Sequence, residues 1–190
     1  MSATRDDVIR AINLRDQLEA LGFSVVIAGG FCRDVYFGEP PKDIDIVVAG
    51  ANREDPMASV ALALATLEVT CQAFHVYNGA SSDRLIGGFK CTGNVDVVVY
   101  DIRDALDSPE HFDFNLNQFM LKGADFESAY VYYVGDTSWH EGLVPVRQDY
   151  SDDRRNKMRE KWLNLTWRFP EGSGPARVHL KDAVFHNPDL

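Results

Sequence analysis

Long apolar runs are missing from this sequence, and no stretch approaches the roughly 20 residues needed to cross a bilayer. The opening MSATRDDVIR has no apolar core of the kind a secretory signal needs, so the expected location is the cytoplasm, with no membrane partner. Cysteine is scarce. Cys32, Cys71 and Cys91 show no CxxC spacing, which supports neither a disulfide framework nor a zinc site; each reads as a small buried or half-buried residue. Positive charge is also short: 19 Lys and Arg face 29 Asp and Glu, for a net charge of −10. That balance argues against broad, nonspecific nucleic-acid binding. The deficit is uneven, because residues 1–150 hold 11 basic against 23 acidic side chains while residues 151–190 hold 8 against 6. Basic character gathers in Arg154, Arg155, Lys157, Arg159, Lys161 and Arg168.

What is present fits a single soluble domain of 190 residues, with 45% hydrophobic and 25% charged residues. The chain turns on VVIAGGFCRDVYFGEPPKDIDIVVA, residues 25–49. A β-branched run (Val25, Val26, Ile27) leads into Gly29-Gly30, a short segment with Arg33 and Asp34 follows, and Asp43-Ile44-Asp45 opens a second β-branched run. This order reads as strand, glycine turn, helix, turn, strand. On a strand, Asp43 and Asp45 share one face while Ile44, Ile46 and Val48 face the core. Two carboxylates so close repel unless a cation compensates them, and their hard oxygens favour magnesium or manganese. The glycine pair lets backbone amides approach a ligand, and the following helix start suits an anion.

The flanking segments follow ordinary patterns. Val8, Ala11, Leu14, Leu18 and Leu21 predict an amphipathic helix closed by Gly22. Asp55-Pro56 predicts the start of an alanine-rich, mostly buried helix. VTCQAFHVY, DRLIGGFK and NVDVVVYD read as strands separated by NGASS and CTG turns, with His75 read as a structural histidine. Asp96, between Val95 and Val97, is a costly lone carboxylate for a central strand unless paired or metal-bound. YSDDRRNKMREKWLNLTWRFP predicts a helix capped by Asp152 or Asp153, with Met158, Trp162 and Leu165 on one side. EGSGP reads as a flexible connection, and the tail after it carries no assignment.

The segment GGFCRDVYFGEPPKDIDIVV resembles the head-domain signature of the tRNA CCA-adding enzyme and bacterial poly(A) polymerase family, within the polymerase-β-like nucleotidyltransferase superfamily. A second stretch, HFDFNLN, resembles the family's Arg-Arg-Asp-Phe-Thr-Ile-Asn signature through Asp113, Phe114 and Asn117; His111 and Phe112 replace the two arginines. The resemblance implies an α/β nucleotidyltransferase fold, a mixed β-sheet with helices mainly on one face, followed by a C-terminal helix. It divides the chain into a head, residues 1–150, and a basic helix and tail, residues 151–190. It implies transfer of a nucleoside monophosphate from ATP or CTP to a hydroxyl, an RNA or tRNA 3′ end, with release of pyrophosphate. Asp43 and Asp45, with Asp96 rather than Asp101 as the third carboxylate, would hold two magnesium ions, or manganese. Gly29 and Gly30 would take the triphosphate through their amides. Arg33 either assists them or pairs with Asp34. Asp113 and Asn117 would contact the nucleotide, and Arg103 would replace part of the missing arginine charge. Asp152 and Arg155 have the spacing of the Asp and Arg by which the family selects its base, with Ser151 in place of its Glu; Arg155 and Arg159 would otherwise hold RNA phosphates, or form a solvated face. The family's tRNA-gripping helices have no counterpart here, so a homodimer or a partner supplying RNA-binding surface is expected. Two other readings accompany this one: a toxin-like nucleotidyltransferase acting on a protein or a selected RNA, and a noncatalytic nucleotide- or RNA-binding module.

Overall fold

A computed structural model describes residues 1–76, 83–170, 172 and 174–185. The NGASS turn falls outside these residues, as do parts of the 171–175 connection and of the tail. Helix α1 (Arg5–Ala20) starts at a capping box in which Thr4 and Asp7 exchange side-chain and backbone bonds of 3.2 and 2.9 Å. Its three-and-four spacing buries Val8, Ala11, Leu14 and Leu18. Asp7 also accepts from Asn94 at 3.0 Å, tying the helix start to the turn before a central strand.

Five strands form a mixed sheet in the order β1-β2-β5-β4-β3: β1 (Val25–Ile27), β2 (Ile44–Ala49), β3 (Cys71–His75), β4 (Leu85–Cys91) and β5 (Val95–Tyr100). Only β2 and β5 run parallel, and the crossover between them contains helix α3 (Pro56–Thr66) and the β3-β4 pair. Side-chain alternation divides the sheet into two unequal faces. Ile44, Ile46, Val48, Val95, Val97 and Val99 pack with α1, α3 and helix α2 (Gly30–Tyr36) in the main core. Val26, Ala28, Val47, Ala49, Ile102, Ala105 and Met120 make a smaller cluster on the other face. Each fully buried large aliphatic contributes about 1.5–3 kcal/mol, so the helical face dominates stability.

A second sheet, β6 (Phe119–Lys122), β7 (Tyr130–Tyr133) and β8 (Val178–His179), is antiparallel throughout. An Ala28–Met120 bridge and the Gly29 N–H donated to Phe119 O at 2.9 Å join the two sheets. Tyr36, Phe37, Phe119, Trp139 and Phe169 form an aromatic cluster beside this junction, with ring centroids 4.9–6.0 Å apart. Helix α4 (Asp152–Thr166) docks through buried Met158 and Leu165, and Trp162 donates its indole N–H to Trp139 O at 2.7 Å. Arg168 reaches back to Glu39 and Phe37 O. Among the described residues no helix is long and apolar enough to cross a membrane.

Several local expectations are corrected. Ser151, not Asp152 or Asp153, caps α4, its hydroxyl accepting from Arg154 N–H at 3.1 Å. Helix α3 is buried only through Val60, Ala63 and Leu64, and Leu62 is exposed, because the sheet covers one side of it. His75 and Cys71 lie exposed on β3, which has no further strand beyond it in the sheet among the described residues. The unassigned tail supplies β8 and buries Leu180.

Candidate active site

The cleft begins where β1 turns into α2. Gly29 has φ +88°, a backbone region that costs any residue with a Cβ; space is not the constraint, since a Cβ there would meet the Phe112 ring at 3.9 Å. The first bond of α2 runs from Arg33 N–H to Gly29 O at 3.0 Å, leaving the amides of Gly30, Phe31 and Cys32 without an intrahelical acceptor. Gly30 and Phe31 line the cleft. The Gly29 amide is committed to Phe119 O, so the expected pair of ligand-facing glycine amides reduces to that of Gly30.

Asp43 precedes β2 and Asp45 is its second residue; both line the cleft. Parallel pairing places Asp96 on β5 directly beside Asp45 and on the same face. Asp96 stands outside the cleft lining, salt-bridged to Lys90 at 3.4 Å. Asp101 lies past the end of β5, exposed, and pairs with Arg84 at 3.7 Å. Burial, then the charges of Asp96 and Asp43, push Asp45 up to about 7 despite Lys90 and Arg33. Burial also raises Asp96, with Lys90 partly offsetting it.

The same cleft also carries basic side chains. Lys42, Arg147, Arg154 and Lys161 line the same cleft of about 520 Å³. Burial lowers Lys161, and the neighbouring charges of Arg33, Lys42 and Arg154 lower it further. Arg154 also belongs to a polar chain among the lining residues. Arg33 is held between Asp34 at 2.7 Å and the Asn117 side-chain oxygen at 2.5 Å. Asn117 donates to Asp113 at 2.8 Å, and Arg154 Nε donates to the other Asp113 oxygen at 2.6 Å. Burial would raise Asp113, but Arg154, Asn117 and the Phe114 amide together hold it below the usual carboxylate range. Arg33, Asp113 and Asn117 therefore brace α2 against α4 at the cleft floor.

Three arginines expected at the site lie elsewhere. Arg103 is exposed and outside the cleft lining, since the chain turns outward after Ile102 is buried. Arg155 and Arg159 face a separate groove with Phe114, Tyr150, Trp162 and Leu163, and Arg155 pairs with Asp152 at 3.0 Å. Arg154 and Lys161, seven residues apart around buried Met158, present the cleft side of α4 instead. That spacing was visible in the sequence, but Met158 marks the same face as core. Arg147, bonded to His111 O at 3.1 Å and Asp149 at 2.5 Å, carried no sequence signal.

Among the described residues no three His, Cys, Asp or Glu side chains form a ready-made metal cage. The donor set nevertheless fits magnesium, which keeps several waters and binds through one or two carboxylates together with substrate phosphates. Asp43 and Asp45 provide those carboxylates, and burial, then the charges of Asp96 and Asp43, raise Asp45, a cost that a bound cation would relieve.

No protein-family model matches the sequence, and no curated protein matches it. Among solved structures the chain is similar to a CCA-adding enzyme in complex with ATP, with TM-score 0.51 and 15% identity over 87% of this chain and 39% of that one. The fold is a nucleotidyltransferase fold. The Bacillus stearothermophilus CCA-adding enzyme in complex with CTP gives TM-score 0.48 and 16% identity, covering 85% of this chain and 39% of that chain. The lincomycin-bound lincosamide antibiotic adenylyltransferase LnuA gives 0.38 and 14%, covering 86% and 98%. This chain thus spans 39% of the length of these two CCA-adding enzymes.

Proposed function

We propose that this protein is a metal-dependent nucleotidyltransferase that moves a nucleoside monophosphate from ATP or CTP to a hydroxyl acceptor at an RNA or tRNA 3′ end. The observation that carries this reading is that one cleft is lined both by Asp43 and Asp45, with Asp96 beside Asp45 on the next strand, and by Lys42, Arg147, Arg154 and Lys161. A polyphosphate bearing a metal needs both: oxygens for the cation and cations for the phosphates. The acceptor oxygen would attack the α-phosphorus, forming one P–O bond and breaking that to the pyrophosphate. Asp43, Asp45 and Asp96 would hold two magnesium ions, or manganese, which when bound lower the acceptor hydroxyl's pKa and neutralise the leaving pyrophosphate. Lys42 and Lys161 would orient the β- and γ-phosphates. Asp96, the third carboxylate of the group, would accept the acceptor proton if the hydroxyl comes within about 3 Å of it. Arg154 and Lys161 supply positive charge where His111 and Phe112 supply none.

The RNA acceptor follows from the resemblance of the GGFCRD and KDID segments. RNA-binding surface from a second copy or a partner, and a cytoplasmic location, belong to the same reading. The test is incorporation of label from each α-labelled NTP, with magnesium or manganese, into tRNA lacking CCA, mature tRNA, total RNA and no RNA. Label on RNA that disappears with Asp43→Asn plus Asp45→Asn supports the transferase. No label on any acceptor, with pyrophosphate release at the double-variant level, sinks it in favour of a binding module. Label on protein instead would favour the toxin-like reading.

A further inference from the structure

We propose that Cys71 and Cys91 are a redox modification site, forming a reversible cross-strand disulfide that fastens edge strand β3 to β4. Cys71 and Cys91 are direct partners in the antiparallel register. Thr92 N–H donates to Thr70 O and Val76 N–H to Ile86 O, both at 3.3 Å. Hydrogen-bonded pairs alternate with non-bonded ones, so Cys71 and Cys91, one step in from Thr70 and Thr92, occupy a non-hydrogen-bonded position. There Cα atoms lie about 4.5 Å apart and side chains approach most closely, within the span a disulfide bridges.

The two thiols share one face of the sheet and contact each other. Cys91 is half-buried, its S–H turned toward Phe89 O at 3.6 Å, whereas Cys71 is exposed. This asymmetry assigns an order to the chemistry. Cys71 thiolate attacks a low-molecular-weight disulfide such as glutathione disulfide, forming a mixed disulfide and releasing one thiolate, which takes up the proton Cys71 lost. Cys91, deprotonated in turn, attacks the Cys71 sulfur, forming the internal bond and expelling the second glutathione. Two electrons pass from the protein thiols to the oxidant. Burial, with the neighbouring Cys71 and Asp96, keeps the Cys91 thiol protonated, so the second step is the slower. Cys32 is fully buried in the main core and takes no part.

The experiment treats the native full chain with glutathione disulfide, then alkylates and maps the peptides by mass spectrometry. Free thiols should fall from three to one, with a 71–91 cross-link that dithiothreitol reverses. Cys91→Ser should stop at glutathione on Cys71, and Cys71→Ser should stay unmodified. Oxidation should raise the wild-type melting temperature by roughly 5 °C and leave both Ser variants unmoved. A wild type that stops at glutathione on Cys71, links two copies through Cys71, or cross-links without any rise in melting temperature would overturn the proposal.

Discussion

Strand β2 and helix α4 both deliver charge to one cleft, but they do so under different rules. Asp43, just before β2, and Asp45, its second residue, are set by spacing along a short, β-branched run, and the cost of burying Asp45 beside other carboxylates appears in its raised pKa. On α4 two basic rows lie side by side, and only docking of Met158 and Leu165 determines which one enters the cleft: Arg154 and Lys161 do, while Arg155 and Arg159 turn to a second groove. The acidic charge of the cleft is thus local in the chain, and its basic charge is tertiary.

The largest expected effect comes from the acidic side. Asp43→Asn plus Asp45→Asn should reduce nucleotidyl transfer on the order of 10³-fold or more while retaining the fold by circular dichroism. Equal activity in the double variant and wild type would separate this strand from the chemistry.

The same residue should reveal itself through pH in metal-free protein. Burial and the neighbouring carboxylates push Asp45 up to about 7 from an ordinary 3.8, so the folded chain holds this proton more tightly than the unfolded chain does. Its stabilising contribution is full below about pH 4, is lost as pH rises toward about 7, and remains absent above that. Asp45→Asn should therefore be more stable than wild type by about 2–4 kcal/mol at pH 8 in EDTA, and close to it at pH 4. Urea melts at both pH values check this, and magnesium should narrow the difference at pH 8. A constant difference between the two variants across that range would mean that Asp45 is not strained in the folded state.

On α4 the comparison is between adjacent arginines. Arg154→Ala leaves Asp113 buried without its ion partner and should cost about 2–3 kcal/mol. Arg155→Ala removes only an exposed pair with Asp152 and should stay within about 0.5 kcal/mol. Asp113→Asn combined with Arg154→Ala should recover part of the loss. Denaturant unfolding of the three variants decides whether the brace across α2 and α4 exists.

The smallest effect concerns binding alone. Lys161→Met should raise KM for the nucleotide roughly tenfold with little change in kcat, and Arg159→Ala should leave KM unchanged. An equal rise in both would assign the second groove to the nucleotide as well.

Much of residues 1–150 was legible because the information there is short-range. The capped helix α1, the glycine turn, the Asp55-Pro56 helix start and the three strands after it each rest on spacing within a few residues. The tail was not legible, because the two residues of β8 become a strand only where β7 offers them an edge. Nor was the role of Arg33 decidable, since Asp34 adjoins it in the chain but Asn117 meets it only across the fold.

By itself the sequence determined the acidic turn-and-strand unit: alternation, glycine conformation and β-branching act over neighbouring residues and leave little freedom. Only the tertiary structure decided that Asp96 stands beside Asp45, that Gly29 spends its amide on Phe119, that Arg154 and not Arg155 reaches Asp113, and that Cys71 faces Cys91. Those outcomes depend on strand register and helix docking, which are set by the summed burial of many side chains rather than by any local pattern.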